Sequence, residues 1–596
     1  MPAVKIMGFD GLVPRTSATM LAENQAQVAS NVKLYSRELR FWNGPAPQTA
    51  TVASGARSIY KYYGASAAYW LTWSSNNVDV ARSPTTDTTD YRIYYTGDGA
   101  PKKSNETLVS TGSGAYPRGY LNMGVPAPTG APAVSATGGS GTPENRVYVY
   151  TYVSTFGSLQ EESAPSPASA IVSVLPGGTV TVNGFTTAPT SGYNITSRRI
   201  YRSVSGATAD NYQFVAEIPL ATTSYADSLS AAQLGEVIPT IGWLPPPSDL
   251  TGLLAIPGGS LAGFSGNTVY FSEPFSPHAW PLEYAINVPA KIIALGIFGT
   301  SVVVMTDRHP YIINGGVVGA MSLERVPILE PCLSKRSVVN SMEGVTYVCP
   351  DGLMQVGPRG AGLITEPLFK RSEWQTYQLT NITAGTYDGR YIGFLPSTTA
   401  VTKSLVFSPD DIPALSLLEV SAYTCHVDSA NGDLFYLSDA DNKIYQLDGD
   451  ALNPLTYTWK SKRFVLPQAT SFSVLKLDAG FEDAASTAAY NQAVADIIAY
   501  NQSIFSTELN GALNATPLNV YAVDGSALRE IPPPAGARSS QVNLYTEGEL
   551  AVSLLVESYS PVRIPPFKGR SIEIEIVGNI PVRSVMMATG IEELKP

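Results

Sequence analysis

Thiols and imidazoles, the side chains best suited to nucleophilic catalysis and metal binding, are rare in this chain of 596 residues. There are three of each: Cys332, Cys349, Cys425, His278, His309 and His426. Cys425 and His426 are neighbours and could form a nucleophilic thiol–imidazole pair. They lie in a strand-like pattern, however, and adjacent strand residues point to opposite faces of a sheet. We therefore predict neither a catalytic dyad nor a four-ligand zinc site.

Oxygen ligands suited to calcium are concentrated in one stretch, SDADNKIYQLDGD. It contributes Asp439, Asp441, Asn442, Asp448 and Asp450. Clustered carboxylates and amides can bind Ca²⁺, but this spacing lacks the glycine and the distal glutamate of an EF-hand loop. A turn whose Asp side chains bond to their own backbone explains the cluster more simply. We predict no metal and no cofactor.

Two further patterns resemble parts of enzyme sites. The glycine-rich GPRGAG at 357–362 is flanked by strand-like segments, whereas a phosphate-binding loop leads into a helix N-terminus. Adjacent carboxylates occur at 161–162 and 410–411, but glycosidase carboxylates must face each other across a cleft. Because no set of residues converges on a reaction, we predict that the protein is not an enzyme.

The composition favours strands and turns and gives a weakly charged surface. Charged residues make up 15% of the chain and the net charge is −11, whereas soluble domains usually have about 25% charged residues. No stretch is basic enough for a nucleic-acid footprint. The most apolar stretch, IIALGIFGTSVVVM, is too short to span a bilayer, and the chain begins without a signal-peptide pattern. We expect a soluble protein that is made in the cytoplasm and has no membrane anchor.

The chain that carries these residues is mostly strand and turn. Short strand-like runs recur over residues 49–128 and 247–475, in sets that end in Gly- or Asp-rich turns. Related phrases recur among them, namely RIYYTG, RIYRS, TVYFS and KIYQL. Such groups are typical of propeller blades. We predict a mainly β protein with an irregular β-propeller, whose first strands lie in residues 49–128 and whose other blades lie in residues 247–475.

A separate β-sandwich is predicted at residues 129–246, inserted between the two parts of the propeller. About seven short strands fit this stretch, which is the spacing of a fibronectin- or immunoglobulin-like sandwich. The alternation in NRVYVYTYVSTF places Tyr148, Tyr150 and Tyr152 on one face. The proline-rich GYLNMGVPAPTGAP and GWLPPPSD are predicted to be linkers.

Helix signals occur at the two ends of the chain. Residues 1–48 are predicted to form an assembly element, with a short helix at 21–30 that cannot fold alone and then a strand hairpin turning near Ser36. Residues 476–596 are predicted to form a β region that contains one long helix at about 484–506. Its apolar face comprises Tyr490, Val494, Ile497, Ile498, Ile504 and Phe505. This face could pack on a neighbouring sheet or on copies of itself in other subunits.

The segment GFDGLVPRTSATMLAENQAQVASNVKLYSRELRFW resembles the start of the tail nozzle (tail tubular) proteins of short-tailed bacteriophages. A pattern G..G..PR.S...L....AQ.A.NV.L..G.LR.W recurs in that family. It is matched by Gly8, Gly11, Pro14, Arg15, Ala26, Gln27, Ala29, Asn31, Val32, Leu34, Leu39, Arg40 and Trp42. Ser36-Arg37 departs from the glycine-containing turn that the family often has. YLNMGVPAP, NRVYVYTYVSTFGSLQEESAPSP and GNTVYFSEPFSPHAWP also resemble the family, so the likeness covers most of the chain.

The resemblance implies a structural subunit of a homohexameric ring in the virion tail, below a dodecameric adaptor and the portal. The ring would retain packaged double-stranded DNA, conduct it during ejection without sequence-specific binding, and carry tail fibres or spikes. The residues expected to serve assembly are Pro14, Arg15, Leu21, Gln27, Asn31, Leu34 and Trp42. Two alternatives are a receptor-binding tail adhesin and a polysaccharide-degrading tail enzyme.

Overall fold

The computed structural model describes residues 3–85, 90–203, 211–377, 379–396, 404–408, 414–481, 492–500, 502 and 539–594. As predicted, the fold is mainly β, with 47 strands in this part of the chain. It comprises an irregular β-propeller, an inserted β-sandwich and a C-terminal β region that also recruits strands from the N-terminus. None of the described helices is long and apolar enough to cross a lipid bilayer.

The N-terminal segment is extended and contains five strands. They are β1 (Ala3–Met7), β2 (Ala26–Ser30), β3 (Val32–Tyr35), β4 (Glu38–Phe41) and β5 (Asn43–Pro47). The predicted helix at 21–30 is wrong, because β2 occupies its second half. A single short helix with little apolar surface is marginal, whereas the backbone of β2 pairs with strands on both sides. The predicted hairpin is confirmed: β3 pairs with β4 around Ser36 and Arg37, which have left-handed φ values of 51° and 61°.

The propeller begins with a two-stranded and a four-stranded sheet. Their elements are β6 (Ser58–Tyr63), β7 (Ala68–Trp73), β8 (Asp79–Arg82), β9 (Ile93–Thr96), β10 (Lys102–Ser104), α1 (Glu106–Ser110) and β11 (Leu121–Asn122). β6 pairs with β7, and the second sheet has the order β8–β9–β10–β11. Asn105 begins α1, because its side chain accepts a hydrogen bond from Leu108 N.

The chain then forms the predicted β-sandwich. Its elements are β12 (Ala133–Thr137), β13 (Glu144–Arg146), β14 (Tyr148–Phe156), β15 (Leu159–Glu162), β16 (Val172–Val174), β17 (Thr179–Asn183), β18 (Ile195–Ser203), β19 (Tyr212–Pro219), β20 (Ser224–Asp227) and a 3₁₀ helix at Ala231–Gln233. One sheet has the order β15–β14–β18–β19 and another has β12–β17–β20, while β13 pairs with β16. Tyr148, Tyr150 and Tyr152, which were predicted to share one face, lie together in the core of the sandwich.

Five more sheets follow, most of them antiparallel groups of four consecutive strands. The strands are β21 (Thr251–Ile256), β22 (Ser260–Ser265), β23 (Thr268–Phe271), β24 (Ile286–Asn287), β25 (Ile292–Phe298), β26 (Ser301–Thr306), β27 (Tyr311–Asn314), β28 (Ser322–Arg325), β29 (Val339–Ser341), β30 (Gly344–Cys349), β31 (Gly352–Gly357), β32 (Gly360–Leu363), β33 (Thr383–Tyr387), β34 (Arg390–Phe394), β35 (Ser404–Ser408), β36 (Ala414–Leu418), β37 (Ala422–Val427), β38 (Leu434–Ser438) and β39 (Ile444–Pro454). The helical turns between them are 3₁₀ helices at Leu282–Tyr284, Lys335–Ser337 and Leu379–Asn381, and α2 (Arg371–Gln375).

The propeller sheets form a ring around one axis. Strands β8, β21, β25, β29, β33, β37 and β6 contact each other in that order. The ring is completed where Tyr62 of β6 and Ile93 of β9 share a core. The last sheet takes its outermost strand from the N-terminal segment, since β5 pairs with β39. The sandwich is thus inserted between the second and third blades, and the two ends of the propeller sequence meet in the last blade.

The C-terminal region forms two sheets together with the N-terminal strands. Its elements are β40 (Tyr457–Ser461), β41 (Phe464–Thr470), β42 (Val474–Ala479), β43 (Ser540–Thr546), β44 (Glu549–Val556), β45 (Val562–Arg563), β46 (Gly569–Gly578), β47 (Val582–Ala588) and a 3₁₀ helix at Ile591–Leu594. One ten-stranded sheet runs β33–β34–β35–β36–β2–β40–β46–β43–β44 with β41 beside β46, and a six-stranded sheet runs β3–β4–β47–β42–β45 with β1 beside β47. Their apolar faces share one core. The predicted boundary at residue 475 falls within β42.

The long helix predicted at about 484–506 lies partly outside the described residues. Residues 492–500 are helical. On this stretch Val494 and Ile497 are half-buried, whereas Ile498 is exposed. The members of the predicted apolar face outside the described residues are Tyr490, Ile504 and Phe505. The surface on which this face packs stays a prediction.

Candidate assembly site at the N-terminal segment

The N-terminal segment lies between the propeller and the C-terminal strands. β2 pairs in parallel with β36 of the sixth blade and antiparallel with β40. Backbone amides extend this contact, because Leu12 N donates to Leu415 O at 2.8 Å and Asn31 N donates to Leu417 O at 2.7 Å. A single inserted strand therefore joins a propeller blade to the C-terminal strands in one continuous sheet.

Two glycines of the N-terminal pattern are required by the backbone. Gly8 has a φ of 87°, which residues with a side chain rarely adopt. A Cβ atom on Gly11 would lie 2.3 Å from Leu415 O, well inside van der Waals contact. Glycine therefore permits the positive φ at position 8, and at position 11 it permits the close approach of the segment to β36.

The first expected assembly residues form a turn against the loop that precedes α2. Arg15 N donates to Leu368 O at 3.0 Å, and Arg15 Nη1 donates to Glu366 O at 2.7 Å. Pro14 is half-buried in the same turn, and Leu21 is buried. Arg15 itself is exposed, so the turn is anchored through both the backbone and the side chain of Arg15 and presents a cation at the surface.

Gln27 bonds to the β40 side of β2, whereas Asn31 bonds to residues beside both neighbouring strands. Gln27 Nε2 donates to Ser461 O at 2.7 Å, and this bond links β2 to β40. Asn31 accepts from Glu419 N at 2.8 Å through Oδ1, and its Nδ2 donates to Glu419 Oε2 at 3.2 Å and to Thr456 O at 3.3 Å. Asn31 is buried and has a φ of 54°, a conformation that Asn tolerates better than most residues with a side chain.

The hairpin of β3 and β4 leads into the last blade. Trp42 is fully buried in the core shared by the sixth and seventh blades. The Lys33 ammonium lies 4.7 Å from the centroid of the Trp42 ring and forms an ion pair with Asp448. Asp448 also accepts from Tyr387 OH at 3.0 Å. Leu34 is half-buried against the core between the two C-terminal sheets. The hairpin therefore contacts both the propeller and the C-terminal sheets.

The seven expected assembly residues therefore lie in one segment, and most of them pack against other parts of the same chain. The pairing of Asn31 with Glu419 and of Lys33 with Asp448 was not predicted, because nothing local in the sequence marks residues 388 and 415 positions away as neighbours. Two apolar side chains of the segment are strongly exposed, Met20 at 76% and Met7 at 63%.

Cys425 and His426 point to opposite faces of β37, as the strand pattern predicts. Cys425 lines the cavity at the centre of the propeller, whereas the His426 ring packs 4.8 Å from that of Tyr60 and 6.2 Å from that of Trp70. Burial raises the pKa of the Cys425 thiol to about 11 and lowers the pKa of His426 to about 4. A protonated thiol and a neutral imidazole on opposite faces do not form a nucleophilic pair.

The Asp-rich stretch after β38 directs its carboxylates to separate partners. Asp439 accepts from Ser421 Oγ at 2.5 Å, and Asp441 accepts from Tyr445 OH at 2.7 Å. Asp448 faces the N-terminal hairpin instead. Over the described ranges, no three His, Cys, Asp or Glu side chains lie together in a way that could hold a metal ion.

The fold defines this chain as a β-propeller protein with an inserted sandwich. No family model and no curated protein matches it. Similar solved structures include BBS1N in complex with ARL6DN, at 9% identity and a TM-score of 0.29, covering 69% of this chain and 98% of that chain. Another is AztD of Citrobacter koseri, at 11% identity and a TM-score of 0.24, covering 51% of this chain and 79% of that chain. Similarity this low transfers no property of those proteins to this chain.

Proposed function

We propose that this chain is a structural subunit of the nozzle ring of a short-tailed bacteriophage. Six copies surround a channel that continues the channel of the portal and the dodecameric adaptor. The ring retains the packaged double-stranded DNA, conducts it during ejection without reading its sequence, and carries tail fibres or spikes. In this proposal the chain is made in the bacterial cytoplasm, is located in the virion tail, and works without enzymatic activity or a cofactor.

The observation that carries the proposal is the position in the fold of the residues that resemble nozzle proteins. Gly8 has a backbone conformation that residues with a side chain rarely adopt, and Gly11 occupies a place that excludes a side chain. Asn31 combines a left-handed backbone with buried hydrogen bonds, and Trp42 fills the core beside the closing strand β5. These geometrical demands are specific to this junction of propeller and C-terminal strands. They give a physical reason for proteins of this architecture to share the pattern, which supports the resemblance.

The charge of the chain also suits a DNA conduit. Lysine and arginine contacts to phosphates release counterions and produce strong, salt-dependent retention. A chain with a net charge of −11 and few cations offers sliding DNA few such contacts. Passage of a genome requires this weak interaction.

Native mass spectrometry and negative-stain electron microscopy of the purified full chain, alone and mixed with its adaptor, test the proposal. We expect particles of six copies with a central opening wide enough for duplex DNA. A compact single copy under both conditions would contradict the proposal. In that case, binding to the surface of host cells would favour the adhesin, and release of sugars from capsule or lipopolysaccharide would favour the enzyme.

A matched pair of variants tests the role of the N-terminal segment. Met20 and Met342 are both strongly exposed, at 76% and 97%, but Met342 lies in the hairpin turn between β29 and β30 of the propeller. A charge in an apolar interface is unfavourable because it must be desolvated. Met20→Asp is expected to reduce the fraction of assembled rings, whereas Met342→Asp leaves it unchanged. An equal fraction of assembled rings in the two variants would show that this segment is not part of the interface.

A further inference from the structure

The centre of the propeller contains a cavity of about 190 Å³. Strands β8, β21, β25, β29, β33 and β37 contribute to its wall, together with the 3₁₀ helix at Lys335–Ser337. A single water needs only about 15 Å³ by the same measure. The cavity therefore has room for several waters or for one small polyatomic ion.

Two cations of the 3₁₀ helix share one carboxylate at the wall of this cavity. Lys335 Nζ forms an ion pair with Asp79 and donates to Asn77 Oδ1 at 2.6 Å and to Thr251 Oγ1 at 3.0 Å. Arg336 Nη1 donates to the other oxygen of Asp79 at 3.0 Å. The other described residues that line the cavity are uncharged. With Lys335 and Arg336 both protonated, the two cations and the single Asp79 carboxylate leave one positive charge in excess at the cavity wall.

The Arg336 guanidinium keeps donors available. Its Nε donates to Asn76 O at 2.6 Å, its Nη2 to Val78 O at 2.7 Å, and its Nη1 to Asp79. A guanidinium has five N–H groups, so one N–H on each terminal nitrogen has no partner among the residues that the structure describes. Arg336 also acts electrostatically on Cys425, where burial raises the thiol pKa and the guanidinium opposes that rise. Arg336 and Cys425 both line the cavity.

Neutral polar groups lie on the same wall. Thr383 Oγ1 is 3.7 Å from Cys425 Sγ and lines the cavity. Asn340 also lines it, and its Oδ1 accepts from Ile297 N at 3.1 Å, which leaves the Nδ2 protons of its amide as donors. The hydroxyl and the amide can complete the coordination of an anion held by the guanidinium.

We propose that this axial cavity binds a small tetrahedral oxyanion of the size of inorganic phosphate. The two remaining N–H groups of Arg336 contact two of its oxygens, and Thr383 and Asn340 donate to the others. A guanidinium is suited to this role because its planar fork pairs with two oxygens at once. The site lies on the propeller axis and has no lining residue from the N-terminal segment.

Isothermal titration calorimetry of the purified full chain with inorganic phosphate tests the site. Ionic strength is kept equal with sodium chloride, because salt screens weak surface binding. We expect one saturable site per chain, with affinity about tenfold or more weaker in Arg336→Gln because a charge-assisted contact is lost. Arg359→Gln is the matched control, since Arg359 lies in the turn between β31 and β32 and is 88% exposed beside Glu343. Its phosphate affinity is expected to equal that of the wild type.

Wild-type protein without a saturable phosphate signal would overturn the proposal, as would equal losses in the two arginine variants. Circular dichroism establishes first whether Arg336→Gln is folded. If it is not folded, Thr383→Val is used to test the site instead, because this change removes one hydroxyl with little change in volume. It is expected to weaken phosphate binding about threefold or more, and an unchanged affinity would overturn the site.

Discussion

Asn31 and Glu419 bind each other through two hydrogen bonds across the junction of the propeller and the C-terminal strands. Glu419 N donates to Asn31 Oδ1 at 2.8 Å, and Asn31 Nδ2 returns a bond to Glu419 Oε2 at 3.2 Å. The two residues are 388 positions apart in the sequence. This reciprocal pair fixes the end of β2 beside β36.

Asn31→Ala is expected to lower the free energy of unfolding by about 2–4 kcal/mol. Each lost buried hydrogen bond contributes about 1 kcal/mol, and the left-handed backbone of this position costs alanine about 1–2 kcal/mol more. Asn31→Gly is the matched control, because it loses the same bonds without the strain. Urea denaturation followed by tryptophan fluorescence measures both. Equal losses would show that the φ of 54° is not a source of strain.

Trp42→Ala is expected to destabilise the chain by about 3–5 kcal/mol, the range for truncating a buried tryptophan. Trp42 is fully buried between the sixth and seventh blades. Its Nε1 has no acceptor among the described residues, so Trp42→Phe removes volume without breaking a hydrogen bond. We expect a clearly smaller loss for Trp42→Phe in guanidinium denaturation. Similar losses would indicate that the indole N–H contributes.

A buried ion pair joins the second blade to the sandwich. Lys103 Nζ contacts Glu161 Oε2, and both side chains are 0% exposed. Lys103→Met leaves the Glu161 carboxylate buried without its cation, and we expect a loss of about 3–5 kcal/mol in unfolding free energy. The double variant Lys103→Met/Glu161→Leu is expected to recover most of that loss. Thermal unfolding by calorimetry measures the series, and a double variant as unstable as the single one would contradict this account.

His426 is expected to make stability depend on pH between about 4 and 6.5. Burial among Tyr60 and Trp70 lowers its pKa to about 4, with Asp428 opposing that shift and Lys61 and Arg82 adding to it. The unfolded chain, with an ordinary histidine pKa, binds the extra proton in this window. Stability therefore falls as the pH falls from 6.5 towards 4, by up to about 3 kcal/mol.

His426→Phe tests this pH dependence, because phenylalanine keeps an aromatic ring in the same place and does not titrate. Denaturation is measured for both proteins at several pH values. The difference between them isolates His426 from the other titrating groups, such as Asp428, whose pKa is also lowered. The difference in unfolding free energy between the wild type and His426→Phe is expected to change between pH 6.5 and pH 4. A constant difference would mean that His426 is not held neutral.

Much of the local structure could be predicted from the sequence. The alternation in NRVYVYTYVSTF predicted that Tyr148, Tyr150 and Tyr152 share one face, and the alternation in NVKLYSRELRFW predicted a hairpin that turns near Ser36. Both predictions depend only on residues that are close together in the sequence. The same kind of reasoning was wrong for residues 21–30, where helix-like capping and spacing are overridden by two neighbouring strands. Those strands, β36 and β40, lie more than 380 positions away.

The sequence by itself determined a mainly β chain with repeated strand sets, an inserted sandwich and an N-terminal pattern that has glycine and asparagine at set places. Only the tertiary structure decided that β5 closes the propeller against β39 and that β2 joins a blade to the C-terminal strands. It also decided that Lys335 and Arg336 share Asp79 on the propeller axis. The physical reason is that side-chain periodicity encodes which face of a strand is buried, whereas the choice of partner strand depends on hydrogen bonds and packing between distant segments.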